Sequence, residues 1–199
     1  MEAIDTASEI TFKYMQYTLN KDMALRRGGK DYKATPKAIV YSDDNYYLVA
    51  QDSVAKTLKH YRIDKMKNIS FEAERCFSSP WLRPSMRPKA FDASEYAKEN
   101  FSMYGGELKQ VTMQFSNDLI GVVIDRFGKE LPIRKKGSRH FETTVCVAIS
   151  PQFYAWVFGL GPDAEITAPL EVRKEMQRML NETHARYIAH RQKAAKNDI

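Results

Sequence analysis

The sequence has few cysteines and no long apolar run. Its two cysteines, Cys76 and Cys146, lie far apart without a C-x-x-C pair. This usage is typical of a reducing compartment, and we expect both thiols to be buried as small apolar groups. No apolar stretch approaches the roughly 18 residues that span a bilayer, and the N-terminus lacks the basic and apolar regions of a secretory signal. We therefore expect a cytoplasmic protein with no membrane partner.

The common catalytic and metal-binding patterns are also missing. The four histidines lack metal-ligand spacing, since His184 and His190 are six residues apart on a predicted helix, not three or four. The chain contains no G-x-S-x-G motif, no P-loop and no dinucleotide fingerprint. The pair Asp43-Asp44 has the composition of a turn. The sequence therefore predicts neither enzyme activity nor a metal or other cofactor.

Positive charge is in modest excess and is spread along the chain. The formal net charge is +6 and the pI about 9.2, which permits an anionic partner without requiring one. Each basic cluster alone is more typical of a solvated surface than of a binding site. Several clusters on one small module leave both interpretations open. The clusters lie at residues 26–37, 56–67, 83–89 and 134–139.

The first 75 residues have the pattern of β-structure throughout. Residues 10–19 alternate and are rich in β-branched and aromatic types. Further strands are predicted at residues 32–41, 46–50, 57–63 and 68–72, separated by polar turn sequences. Five short strands with no helix between them predict a small closed or half-closed barrel of the Sm or SH3 type.

Residues 76–106 have the composition of a linker that contains one helix. Pro80, Pro84 and Pro88 favour an extended connection, because each proline disfavours helix at the residue before it. Asp92 or Ser94 could then cap a short helix over residues 95–103, which ends at a glycine pair.

Residues 107–199 are predicted to form a ferredoxin-like α+β domain. The predicted element order is β-α-β-β-α-(β)-α. Ser116 and Ser150 are suitable helix N-caps, and Pro169 opens a long final helix. Residues 141–149 alternate plainly between apolar and polar types. The final helix carries five candidate buried positions, which are Leu170, Met176, Met179, Leu180 and Tyr187. The predicted fold class is therefore mixed α+β, with a small Sm/SH3-like barrel followed by this domain.

Two of the predicted strands carry a motif pair. Residues 45–50 read NYYLVA, and residues 61–66 read YRIDKM about a dozen residues later. They resemble the W-Y-L strand and the following F-R-L-D-R-I strand of the WYL-domain proteins. ITFKY at residues 10–14, the segment 91–105 and the segment 111–187 are similar to that family's opening strand, connector and C-terminal extension. The resemblance covers nearly the whole chain.

The resemblance implies the sensory part of a bacterial transcription regulator, in which the barrel binds nucleic acid or a nucleotide-type messenger. Tyr46 replaces the tryptophan of the motif and keeps a large aromatic ring. Lys65 replaces the second arginine and loses its planar bidentate geometry. The family's N-terminal helix-turn-helix, which would contact DNA, is absent from this chain, and we expect truncation to be the reason.

Strand alternation indicates where a ligand would bind. It predicts that Tyr61 faces the barrel core while Arg62 faces the other way, on the same exposed groove as Tyr47. Guanidinium and ammonium groups hold phosphate, and a phenol ring stacks on a base for about 1–3 kcal/mol. The candidate ligand-binding residues are Tyr47 and Arg62, with Tyr14, Lys13, Lys59 and Lys65 nearby. The alternative is that Tyr47 simply covers the barrel and that Arg62 pairs with Asp64 or Asp52.

Three functions remain open at this point. The leading hypothesis is a regulatory module that binds a nucleotide or single-stranded nucleic acid through the barrel. Its C-terminal domain would mediate homodimerisation or close over the barrel of a partner subunit. The second is a dimerisation scaffold without a ligand. The third is a free-standing accessory protein that binds single-stranded nucleic acid.

Overall fold

The computed structural model describes residues 1–71 and 91–197, with side chains described as far as residue 188. The predicted extended connection around Pro80, Pro84 and Pro88, and the expected burial of Cys76, lie outside the described residues. The chain divides into two compact units, Met1–Gly105 and Gly106–Ile199. No helix in the described part of the chain is long and apolar enough to cross a membrane.

The first unit is a curled antiparallel sheet with two short helices. The sheet order is β2-β1-β3-β4-β5, and β6 pairs with β1, so the sheet forms a half-barrel. The elements are α1 (Glu2–Asp5), β1 (Ile10–Tyr17), β2 (Met23–Leu25), β3 (Tyr32–Ser42), β4 (Asn45–Asp52), β5 (Leu58–Arg62), β6 (Met66–Phe71) and α2 (Ala93–Glu99). The barrel class is confirmed, although residues 1–71 form six strands where five were predicted. The short strand β2 lies in the polar stretch that we interpreted as a loop.

Alternation along the strands builds the core of the half-barrel. In β1, Ile10, Phe12 and Tyr14 are buried and their neighbours are not, as the period of two requires. Tyr32 and Tyr61 join them from β3 and β5. The remaining buried members of this core are Ala34, Leu48, Ala50 and Met66. The interior of the first unit is therefore dominated by aromatic rings.

A buried carboxylate organises the turn between β4 and β5. Asp52 Oδ1 accepts hydrogen bonds from the backbone N–H groups of Val54 and Ala55 at 3.0 and 2.7 Å. Its Oδ2 atom lies 2.5 Å from the Lys59 ammonium. The Lys59 hydrogen bond and the turn N–H groups lower the pKa of Asp52 to about 2 against the opposing effect of burial. The charged form of Asp52 thus stabilises the turn.

The second unit is a four-stranded antiparallel sheet with helices. The sheet order is β10-β7-β9-β8, which with its β-α-β-β-α-β connections is the predicted ferredoxin-like arrangement. The elements are β7 (Glu107–Ser116), α3 (Ile120–Phe127), β8 (Ile133–Lys136), β9 (His140–Ile149), α4 (Pro151–Gly159), β10 (Ala164–Ala168) and α5 (Leu170–Asn197). The mixed α+β class is therefore confirmed for the chain.

The core of the second unit is formed by inward positions of β7 and β9 together with α3 and α4. Ser150 caps α4 as predicted, since its side chain accepts the N–H of Phe153 at 3.3 Å. The prediction for α5 is wrong at three positions, because Leu170 is 60%, Leu180 40% and Tyr187 77% exposed. Met176 and Met179 are only partly buried. The fully buried side chains of the unit include Val111, Met113, Phe115, Val123, Val147, Phe153 and Val157.

Replacing Asp52 with asparagine is expected to lower stability at neutral pH and to flatten its acid dependence. A carboxylate with a depressed pKa stabilises the folded state above its unfolded pKa of 3.8 and loses that contribution as the pH falls towards 2. We expect Asp52→Asn to lower the free energy of unfolding by about 1–2 kcal/mol at pH 7 and by much less near pH 2. Denaturant titrations between these limits measure both. The exposed Asp118→Asn is the control, and an equal loss at both pH values would contradict the assignment.

Two glycine-to-alanine variants are expected to change stability in opposite directions. A Cβ at Gly106 would overlap the carbonyl oxygen of Ile149, which begins the pairing of β7 with β9. Gly106→Ala should therefore destabilise the second unit by about 1–3 kcal/mol. Gly121 lies in α3 with open space around it, so Gly121→Ala should stabilise by up to about 1 kcal/mol. Thermal unfolding of both variants tests this, and shifts of the same sign would refute the argument.

Candidate functional site

Tyr47 and Arg62 are brought together by the pairing of β4 with β5. The two residues are direct cross-strand partners, and such partners have neighbouring side chains. Tyr47 is half-buried, and the Arg62 side chain is 30% exposed. Burial raises the pKa of the Tyr47 phenol, while the Arg62 charge opposes that rise. The predicted juxtaposition of a phenol with a guanidinium is present.

Helix α2 covers part of the face that we expected to be open. Val49, which shares this face with Tyr47, is fully buried in a second small core with Val40 and Met103. On the same face, His60 Nε2 lies 2.9 Å from the Tyr96 hydroxyl of α2, and burial lowers the pKa of His60. The expected groove is therefore reduced to its end, where Tyr47 and Arg62 lie.

Arg62 is held by a bidentate ion pair with Asp64. Its Nε and one terminal nitrogen donate to the two carboxylate oxygens at 3.1 and 2.8 Å. The 3-10 turn Ile63–Lys65 folds Asp64 back onto Arg62, and the Arg62 hydrogen bonds lower the pKa of Asp64. The Asp64 side chain is 53% exposed, and ion pairs this exposed contribute only about 0–1 kcal/mol. Asp64 thus orients Arg62 at a small energetic cost to any anion that displaces it.

Tyr14 lies in the barrel core and not on the exposed groove, which corrects that expectation. Its ring packs against Phe12, Tyr32 and Tyr61. Its hydroxyl oxygen accepts the backbone N–H of Arg62 at 3.0 Å. Burial raises the pKa of the Tyr14 phenol against the effect of this bond. Tyr14 therefore positions the backbone of Arg62 from inside the barrel.

The three candidate lysines occupy different places. Lys59 pairs with Asp52 and, by strand alternation, points to the face opposite Arg62. Lys13 donates to the Gly29 carbonyl oxygen at 2.5 Å and lies 3.2 Å from an Asp31 carboxylate oxygen. The Lys65 ammonium lies 5.3 Å above the Tyr17 ring. Its charge helps to lower the pKa of the neighbouring Asp64. Of the three, the structure brings only Lys65 close to the Arg62–Asp64 pair.

Two further groups were missed by sequence reasoning. Tyr104 is 51% exposed, and its interaction with Tyr47 raises the pKa of the Tyr47 phenol. The guanidinium of Arg27 lies 4.8 Å above the Tyr32 ring, and Arg26 acts on the Tyr14 phenol. The arginine pair was visible as a basic cluster, but nothing in its sequence indicated which strand it would contact.

The candidate site therefore consists of Tyr47, Arg62, Asp64 and Lys65. The guanidinium and ammonium can hold phosphate oxygens, and the phenol beside them offers an aromatic surface to a base. Among the described residues, no group of histidine, cysteine or acidic side chains could hold a metal ion. The arrangement is suited to binding an anionic aromatic ligand.

Two solved structures match this chain at low sequence identity and with TM-scores below 0.5. Proteasome accessory factor B/C (PafBC) of Arthrobacter aurescens is 14% identical with a TM-score of 0.38, covering 94% of this chain and 26% of that chain. A CRISPR Cas-related protein is 16% identical with a TM-score of 0.46, covering 95% of this chain and 51% of that chain. The chain thus spans about a quarter and about half of these two proteins. No curated protein matches the sequence.

Two family models match consecutive parts of the chain. The WYL domain model matches residues 1–71, the half-barrel that carries Tyr47, Arg62 and Lys65. The WCX domain model matches residues 107–183, the ferredoxin-like unit. Together the two matches cover most of the chain, in the order that the motif pair implied. The chain therefore carries a WYL domain followed by a WCX domain.

Proposed function

We propose that this chain is the ligand-sensing part of a transcription regulator, and that its WYL domain binds a nucleotide or single-stranded nucleic acid at the candidate site. One observation carries the proposal: β4 and β5 hold a guanidinium beside a phenol ring at a solvent-accessible end of the half-barrel. In the parent regulator, a helix-turn-helix would contact DNA. The proposed activity is binding and not catalysis.

The candidate residues divide into ligand contacts and supports. Arg62 and Lys65 would contact phosphate, and Tyr47 would stack on a base. Tyr14 would set the position of Arg62 through its backbone hydrogen bond. Lys59 and Lys13 would act further away, because each already has a carboxylate partner.

The bidentate pair with Asp64 explains how Arg62 can remain ordered and still accept a ligand. The pair keeps the guanidinium in one orientation, which reduces the loss of side-chain entropy when phosphate binds. Two oxygens of a phosphate can accept the same pair of parallel N–H bonds as the carboxylate that they would replace. Because Asp64 is largely exposed, it would return to water without leaving a buried charge.

Arg62→Ala is expected to weaken the binding of nucleic acid. Labelled oligo-dT and a panel of cyclic and linear nucleotides should bind the wild-type chain with an affinity that falls as salt rises. Losing charge-assisted hydrogen bonds to phosphate should reduce that affinity at least about tenfold and lower the salt dependence by roughly one counterion. Fluorescence anisotropy at several salt concentrations measures both effects.

Two further variants bracket this experiment. Arg134→Ala also removes one paired arginine, but from β8 in the second unit, and should leave binding unchanged. Asp64→Asn removes the anion that competes for Arg62 and should raise affinity by about two- to fivefold, in line with a weak exposed pair. If neither oligo-dT nor any nucleotide binds the wild-type chain, the sensor proposal is wrong and the scaffold function is favoured.

A second candidate function, homodimerisation, is favoured by a separate observation in the WCX domain. Helices α4 and α5 border an apolar cleft of about 610 Å³ lined by Tyr154, Phe158, Met176, Met179, Leu180 and Tyr187. Phe158 and Tyr187 are 60% and 77% exposed. Contiguous exposed apolar surface of this kind is typical of interaction sites. A second copy of the chain would cover it with an equivalent surface.

A charged residue in this cleft is expected to abolish dimerisation. Leu180→Glu would bury a carboxylate against apolar side chains of the second copy, which is strongly unfavourable. In sedimentation equilibrium the wild-type chain should have the mass of a dimer and the variant the mass of a monomer. The dissociation constant of the variant dimer should rise at least tenfold. Ile133→Glu, an exposed position on β8 of the same unit, is the control. A wild-type monomer at high concentration would eliminate this candidate.

A further inference from the structure

The interior of the WYL half-barrel contains four aromatic rings in mutual contact. The centroid distances among Phe12, Tyr14, Tyr32 and Tyr61 lie between 4.9 and 6.4 Å. The three tyrosine rings form a nearly equilateral triangle, with separations of 5.8, 5.6 and 5.9 Å. Three phenol groups from three strands are thus concentrated in one small volume.

The hydroxyl groups of this triangle are incompletely satisfied. Tyr32 and Tyr61 are only 7% and 5% exposed, and neither hydroxyl has a hydrogen-bond partner in the described part of the chain. The Tyr14 hydroxyl accepts the N–H of Arg62, which leaves its own proton available to donate. Buried polar groups are nearly always paired, so two unpaired hydroxyls in one cluster require an explanation.

The surrounding charge indicates what the missing partner is. Arg27 lies over the Tyr32 ring and within electrostatic range of the Tyr61 hydroxyl, and Arg26 is within range of Tyr14. Neither arginine forms an ion pair among residues 1–71 and 91–188. Two acidic groups also act on these phenols, Asp52 on Tyr61 and Asp64 on Tyr14. Each is already paired with a cation, Asp52 with Lys59 and Asp64 with Arg62. Hydroxyl donors beside unpaired cations favour an anion that only accepts hydrogen bonds.

We propose that Tyr14, Tyr32 and Tyr61, together with Arg27, form a subsite for a terminal phosphate group. A phosphate monoester presents three oxygens, one for each phenol, whereas a carboxylate presents two. The cluster is buried, so the group must enter end-on, which excludes an internal phosphodiester with chain on both sides. The proposal rests on the proposed function in taking the ligand to be a nucleotide or a nucleic-acid end. Arg27 lies in the turn Arg26–Gly29, which Lys13 holds through the Gly29 carbonyl oxygen.

The two unpaired hydroxyls predict an unusual effect of their removal on the stability of the protein. In the free protein the hydroxyls of Tyr32 and Tyr61 lack partners, so their removal should not weaken the fold. Tyr32→Phe and Tyr61→Phe keep the rings and should leave the melting temperature unchanged or raised. The same variants should lose the ligand's terminal phosphate as a binding group.

The test compares oligo-dT with and without a terminal phosphate, and inorganic phosphate as a competitor. We expect the wild-type chain to bind the phosphorylated oligonucleotide about tenfold more tightly, and we expect Tyr32→Phe and Tyr61→Phe to abolish this preference. Calorimetry measures the affinities and thermal unfolding the stabilities. Tyr41→Phe is the control, because its exposed hydroxyl donates to Asp44, and it should retain the preference.

Several outcomes would overturn the proposal. Equal wild-type affinity for the two oligonucleotides would exclude a terminal-phosphate subsite. A lower melting temperature with an unchanged preference in both phenylalanine variants would show that internal water satisfies the hydroxyls. Competition by acetate equal to that by phosphate would exclude the phosphate assignment.

The result also separates this proposal from the proposed function. If unphosphorylated oligo-dT binds and Arg62→Ala abolishes the binding, while the terminal phosphate has no effect, only the subsite is wrong. If no oligonucleotide binds but inorganic phosphate binds and Tyr61→Phe abolishes that binding, the subsite is supported and the nucleic-acid function is wrong.

Discussion

The hydrogen bond from the Arg62 backbone to the Tyr14 hydroxyl is the contact on which the geometry of the candidate site depends. Strand β5 ends the path of paired strands, while β6 pairs with β1 instead. The 3.0 Å bond therefore connects β1 to the end of β5 where no strand ladder does so. Because Tyr14 is packed among other rings, its hydroxyl is held at a fixed point. The bond thus ties the end of β5 to β1 and fixes the place of the Arg62 backbone.

The candidate site inherits its order from that bond. With the Arg62 backbone fixed, the turn Ile63–Lys65 brings Asp64 back to the guanidinium and leaves Lys65 above the Tyr17 ring. Tyr47 completes the group through strand register. Exposed charges alone would be mobile and strongly screened by salt. Attachment to a buried aromatic core makes the same charges a preorganised surface, which is the property that a binding site requires.

Sequence reasoning predicted what strand alternation controls. It placed Tyr61 inside and grouped Tyr47 with Arg62, because both follow from a period of two and the pairing of neighbouring strands. It did not predict that Tyr14 is buried beneath Arg62, since that depends on β1 and β5 meeting across a closing sheet. It also missed that α2 covers Val49 and His60, because a helix docking through a few apolar residues leaves no periodic signal in the strands. In α5, an apolar stripe predicted burial, but Leu170, Leu180 and Tyr187 are exposed.

The interior and the surface of the half-barrel are linked through Tyr14. Its hydroxyl accepts from Arg62 on one side, and its ring contacts Tyr32 and Tyr61 on the other. On the proposed functions, an anion among the phenols would compete for or reorient that hydroxyl and so change the position of Arg62. Binding free energies coupled in this way are reciprocal, so a ligand at Arg62 must alter the affinity of the interior by the same factor. A sensor built on this bond would therefore distinguish the end of a nucleic acid from the interior of the strand, because only an end would occupy both linked sites.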